Sequence, residues 1–218
     1  MTTGGDLWER AKGIIPGGSM LLSKRSEMYL PEGWPAYFDR TEGCAVWDLN
    51  GNKFLDLGFM GVGTNILGYS HPKVDEAVRK VIDKGNLSTL NAPEEVYLAE
   101  ALIEPHRWAD MVRFARSGAE ACAIAVRIGR ATSGRDKVAF CGYHGWHDWY
   151  LAANLGDDDS LDGHLIPGLE PNGVPRALKG TSLPFQYNDL KGLTKLVDDN
   201  PDIGVIYMEP QRSTAPEP

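Results

Sequence analysis

Cysteine is scarce in this sequence: Cys44, Cys122 and Cys141 form no Cys-x-x-Cys pair and leave one residue over. A disulfide framework is therefore not expected, and a reducing cytoplasm is the natural setting. Long apolar runs are missing too, and the N-terminus has no basic stretch followed by an apolar core. Neither a membrane span nor a secretory leader is expected. Clustered positive charge is absent: 22 Lys and Arg are scattered among 30 Asp and Glu, a net charge of -8. Nucleic acid is not expected as a partner, because phosphate recognition needs basic residues gathered in a patch or stripe. The acidic run Asp157-Asp158-Asp159 reads as a solvated loop rather than a metal site. What is present is an ordinary globular composition, 42% apolar and 24% charged over 218 residues, enough for a substantial core.

Along the chain, Leu7 to Ile15 reads as a short helix closed by Pro16-Gly17-Gly18. Tyr37 to Arg40, Ala45 to Leu49 and Lys53 to Leu57 have strand composition. Asn50-Gly51 marks the hairpin between the last two, since both residues tolerate positive φ. A glycine-rich loop, "GFMGVGTNILGYS", follows. His71-Pro72 opens a helix carrying Val74, Ala77, Val78, Val81 and Ile82, and a second helix runs from Pro93 towards Pro105. The pattern then alternates: strand "DMVRFA", helix Glu120 to Ala131, strand "DKVAFC", a long loop over 141–181, "SLPFQYND", a helix near Leu190 to Val197, and the strand Ile203 to Met208. Alternation of this kind predicts an α/β fold whose sheet is mostly parallel with helices on its faces. The expected organisation is an N-terminal helix and β-meander over 1–69, feeding an α/β domain over 70–218.

Two constellations could carry chemistry. Ser117-Gly118-Ala119-Glu120 is a capping box at a helix start, Ser at the cap and Glu three residues on. It is also an opening where an anion could meet free N–H groups and the helix dipole, because Gly118 and Ala119 present so little side chain. "FCGYHGWHDWY" follows a strand, so it emerges at the carboxyl edge of a parallel sheet, where such folds bind ligands. Tyr143 there is a candidate to stack on a flat heterocycle. His144, His147 and Asp148 suggest metal as a competing idea, although His-x-x-His spaces ligands poorly on a helix face.

Several segments, in order and at family spacing, resemble the class III pyridoxal-phosphate aminotransferases, and among them the glutamate-1-semialdehyde 2,1-aminomutase-like members. These are "PGGSM", "VWDLNGNKFLDL", "LGYSHPKVDEAV", "RFARSGAEACAIAVRIGRATSGRDKVAF", "GYHGWHD" and "VIYMEP". The resemblance implies the N-terminal part of a fold type I pyridoxal-phosphate transferase, with pyridoxal 5'-phosphate as cofactor. Ser117, Gly118 and Ala119 match the phosphate turn, and Tyr143 matches the ring-stacking aromatic with His144 beside it. Glu209 matches the acidic residue ending a sheet strand next to the cofactor. Lys24 or Arg25 falls where the family reads the substrate carboxylate. Ala119 departs from the pattern, which has Thr there; one hydroxyl donor is lost while the amide is kept. Ala152 to Gly180 matches the mobile loop over the active site, and its length and composition point the same way.

The same resemblance implies a Schiff-base lysine and an aspartate beside the pyridine nitrogen, both in the half of the family sequence that follows the Glu-Pro strand. Neither is found in context here, so the chain is expected to be about the first half of such an enzyme, inactive alone, with Ile203 to Met208 exposing an unpaired edge. The intact protein is expected to move an amino group from a donor to a carbonyl acceptor, or within one molecule, as a homodimer. A non-catalytic binding module and a metal hydrolase built on "HGWHD" remain the alternatives.

Overall fold

The computed structural model describes residues 3–29, 33–58, 60–61, 63–156 and 170–210. The chain divides into two compact units, Met1–Pro93 and Glu94–Pro218. The acidic run and residues 157–169 of the expected mobile loop lie outside the described residues.

In the first unit, α1 (Gly4–Ile14) begins at a complete capping box: Thr3 Oγ1 accepts from the Asp6 N–H, and the Asp6 carboxylate accepts from the Thr3 N–H, each at 3.1 Å. Its Trp8 and Ala11 are buried, and the Trp8 indole N–H donates to Glu27 at 2.7 Å. The expected meander forms as β1 (Phe38–Glu42), β2 (Ala45–Asp48) and β3 (Lys53–Leu55), antiparallel in the order β1-β2-β3. Gly51 takes φ +84° at the β2–β3 turn, and Asp48 Oδ1 accepts from the Asn50 and Asn52 N–H groups. Helix α2 (Pro72–Lys84) starts with Pro72 in the first turn, where a missing N–H is harmless.

Helix α3 (Pro93–Ile103) leads into the second unit, which continues with α4 (Gly118–Ser133), β4 (Lys137–Cys141), α5 (Asp148–Leu151), β5 (Ser182–Pro184), α6 (Leu190–Asp199) and β6 (Ile203–Met208). The three strands pair in parallel in the order β5-β4-β6. Central β4 is buried on both faces, as a strand covered by helices must be. Val138 and Phe140 face α4 and α5, packing with Val126, Trp149, Tyr150 and Ala153. Ala139 and Cys141 face the other way, packing with Phe185, Ile203 and α6. Gly129 lets α4 lie directly on β6: a Cβ there would stand 2.7 Å from Val205 Cγ2.

Two expectations need correction. Residues 110–115 form no strand among the described residues; Met111 is 88% exposed. Their composition suits a strand, but a strand exists only by pairing, and these residues pair with no described strand. The long connection after β4 is not all loop either. It turns helical over α5 and a following 3-10 turn, Ala152–Leu155, burying Trp149, Tyr150, Ala152, Ala153 and Asn154. Aromatic burial against Phe140 fixes this stretch, so the start of the expected mobile loop belongs to the core.

Candidate functional site

The site grows from the start of α4. Ser117 is extended (φ -143°, ψ 159°), and its hydroxyl accepts from the Glu120 N–H at 3.3 Å. That half of the expected capping box forms. The reciprocal half does not: the Glu120 carboxylate accepts from the Arg116 N–H at 2.8 Å instead. It reaches one residue further back and braces the chain entering the helix. With Ala121 N–H bonded to Ser117 O, the N–H groups of Gly118 and Ala119 form no hydrogen bond among the described residues. A Cβ at Gly118 would meet nothing within 4 Å, so space is open beside Gly118, while Ala119 is buried. Arg113, Arg116, Arg127 and His147, with Glu120, line an open groove alongside, which makes the surroundings of the corner net positive.

The segment after β4 closes onto this corner. Gly142 (φ +99°) and Gly145 (φ +101°) bracket Tyr143 and His144 in a turn with little room at Gly142 and none at Gly145. A Cβ at Gly145 would fall 2.5 Å from Ala119 Cβ and 2.8 Å from Ala119 Cα, and one at Gly142 would fall 3.1 Å from Glu209 Cδ. Ala119 on α4, the Tyr143 turn after β4 and Glu209 after β6 thus meet at the carboxyl edge of the parallel sheet. Tyr143 is 39% exposed, with its ring edge-on to Tyr150 at 5.9 Å. Partial burial pushes its phenol pKa up, with a smaller contribution from Cys122.

His144 sits differently. It is 5% exposed, bonded through Nε2 to the Cys141 carbonyl at 2.8 Å, and packed edge-on against Tyr207 at 4.5 Å. Burial pushes its pKa down, opposed by the Cys141 carbonyl and by nearby Glu209. No group of three His, Cys, Asp or Glu side chains is arranged to hold a metal among the described residues, so the His144, His147, Asp148 idea gains no geometric support. Lys24 and Arg25 belong to the first unit. There Lys24 is exposed, and Arg25 lays its guanidinium on Gly17, where a Cβ would come within 2.2 Å of Nη2.

Sequence reasoning missed the residues behind the turn. Tyr150 is fully buried and donates to the Gly142 carbonyl at 3.1 Å. Tyr207 donates to Cys122 Sγ at 3.4 Å, and its pKa is pushed up to about 12, first by burial and then by that thiol. A signal existed in the glycines flanking Tyr143 and His144, which ask for a tight turn with something packed against it.

Residues 31–164 match the family described as Aminotransferase class-III. Among solved structures, an omega-transaminase from Sphaerobacter thermophilus is 25% identical, matching 95% of this chain and 47% of its own, with a TM-score of 0.75. The FumI protein of Sphingopyxis sp. MTA144, solved in its PLP internal aldimine form, is 26% identical over 94% of this chain and 46% of its own, TM-score 0.77. A glutamate-1-semialdehyde-aminomutase from Pseudomonas aeruginosa PAO1 shares the fold, at 21% identity over 96% of this chain and 44% of its own, TM-score 0.70. The chain spans about half the length of these structures.

Proposed function

The chain belongs to the class-III aminotransferase family, whose cofactor is pyridoxal 5'-phosphate, and from that membership we propose that it supplies the cofactor-holding part of a transaminase or aminomutase. Its α/β architecture is that of the fold type I enzymes. The observation that carries the proposal is the contact between Gly145 and Ala119, which brings the unbonded amides of α4 and the Tyr143 turn to one place.

The residues present fit the cofactor. The unbonded N–H groups of Gly118 and Ala119, with the α4 dipole behind them, would take the phosphate, and Ser117 stands at the same turn. Tyr143 would lie against the ring, and Glu209 approaches from the end of β6. His144 stands behind Tyr143. When bound, the cofactor supplies the electron-accepting ring that carries an amino group between molecules. The protein's part, in this half, is to bind and orient: amides fix one end, and an aromatic face excludes water from one side.

The activity proposed for the intact protein is transfer of an amino group from a small-molecule donor to a carbonyl acceptor, or its shift within one molecule. It would work as a homodimer in the cytoplasm; no helix among the described residues is long and apolar enough to cross a membrane. The domain division proposed is an N-terminal helix and meander over 1–69 ahead of the cofactor domain. Lys24 or Arg25 is the proposed contact for a substrate carboxylate. The 218 residues alone are proposed to be inactive.

Titration of the protein with pyridoxal phosphate tests the proposal. Tyr143→Ala is expected to weaken binding about tenfold, the worth of one aromatic contact. Binding as tight as in the unaltered protein would remove Tyr143 from the site.

A further inference from the structure

The strand β4 ends at Cys141, and the next four residues must aim Tyr143 without a continuous ladder. Two buried side chains do the holding. The His144 Nε2 bonds to the Cys141 carbonyl at 2.8 Å, and the Tyr150 hydroxyl donates to the Gly142 carbonyl at 3.1 Å. These are the two carbonyls immediately preceding Tyr143. Since a carbonyl only accepts, Nε2 carries the hydrogen and the neutral ring is fixed as that tautomer. The imidazole is enclosed by rings: Trp149 stacks at 6.3 Å, while Phe140, Tyr150 and Tyr207 meet it edge-on or nearly so at 6.2, 6.1 and 4.5 Å. At 5% exposure it has no open face to offer a ligand, whereas its neighbour Tyr143 is 39% exposed. Burial also disfavours its charged form, which keeps the donor pattern constant around neutral pH.

We infer that His144 is a positioning residue: its buried imidazole clamps the Gly142–Gly145 turn and so sets the stance of Tyr143 against the cofactor ring. This rests on the reading of Tyr143 as the ring-stacking residue. It assigns His144 no contact with cofactor or substrate.

The experiment pairs two readouts on the same protein: amide hydrogen exchange across 141–151, and affinity for pyridoxal phosphate. His144→Phe keeps an aromatic filler but loses the donor. Exchange at the Tyr150 and Leu151 amides, bonded to the His147 carbonyl at 2.9 and 3.1 Å just past the turn, should rise about tenfold, the equilibrium worth of one buried hydrogen bond, with β4 and α4 amides unchanged. Cofactor affinity should fall by a similar factor, and His144→Phe combined with Tyr143→Ala should be no worse than Tyr143→Ala alone. His144→Gln, whose amide can donate to the same carbonyl, should restore both readouts. Should His144→Phe fail to fold, Tyr150→Phe removes the companion donor alone and should loosen the same amides. Unchanged exchange, additive losses, or a His144→Gln variant as weak as His144→Phe would overturn the inference; the last would mean that the imidazole itself contacts the ligand. A Tyr143→Ala variant that binds like the unaltered protein would instead sink the assignment of the site. The exchange rates would then decide alone whether His144 holds the turn.

Discussion

Replacing Gly145 with alanine should damage both stability and cofactor binding, because that glycine is where α4 and the Tyr143 turn touch. Its φ of +101° is a conformation that side chains rarely adopt. A Cβ in such backbone costs about 1–2 kcal/mol. The new methyl would also lie 2.5 Å from Ala119 Cβ and 2.8 Å from Ala119 Cα, the latter a backbone atom that cannot swing aside. Relief requires the two segments to part by roughly 1 Å, and overpacking of that kind costs about 1–3 kcal/mol. The total is about 2–5 kcal/mol, readable as a lower urea midpoint for the second unit. Separating the amides from Tyr143 should also weaken pyridoxal phosphate binding at least tenfold, by about the reach of a misplaced contact. Gly118→Ala is the control: its Cβ meets nothing within 4 Å, so stability should hold within about 0.5 kcal/mol while binding falls, because the methyl enters the space left for the phosphate. If Gly145→Ala kept both midpoint and affinity, the close approach of these two segments would be wrong.

Other consequences are checked as directly. Ala119→Thr should tighten pyridoxal phosphate binding several-fold by adding a hydroxyl donor beside the amides; weaker binding would mean that the buried position serves packing only. Gly129→Ala should destabilise by about 1–3 kcal/mol despite better helix propensity, because its Cβ would sit 2.7 Å from Val205 Cγ2, and Val205→Ala should rescue it in a double variant. The His144 pKa is lowered in the folded state, so its contribution is fully present above the unfolded value near 6.5 and lost as pH falls below it. Denaturation midpoints compared between the unaltered protein and His144→Gln from neutral to mildly acid pH should converge as this contribution disappears. Tyr207 is raised to about 12, so its phenolate should appear there in an absorbance titration, with stability lost as pH climbs from about 10 through that value.

Local chemistry was legible wherever the sequence itself supplied the constraint. Asn50-Gly51 required a tight antiparallel turn, and β2 and β3 meet there. Pro72 fitted only the first turn of a helix, and Ser117 with Glu120 announced the start of α4 to within a residue. The segment "DKVAFC" read as a strand, and β4 (Lys137–Cys141) lies there. What failed depended on partners distant in sequence. Residues 110–115 looked like a strand by composition but pair with no described strand. Trp149 and Tyr150 sit in a segment full of glycine and histidine, and only the ring of Phe140, nearly ten residues upstream, explains why they turn inward. Glu120 had two nearby amides to choose from, and its taking of Arg116 rather than Ser117 was not written in the four-residue motif. The candidate site residues were named by motif, while the side chains packed behind them became visible only in three dimensions.

The most direct test is a crystal structure of the protein grown with pyridoxal phosphate. The account predicts phosphate oxygens about 2.7–3.2 Å from the Gly118 and Ala119 nitrogens, with the Tyr143 ring parallel to the pyridine. A phosphate bound elsewhere, or a pyridine ring with Tyr143 turned away from it, would contradict the account.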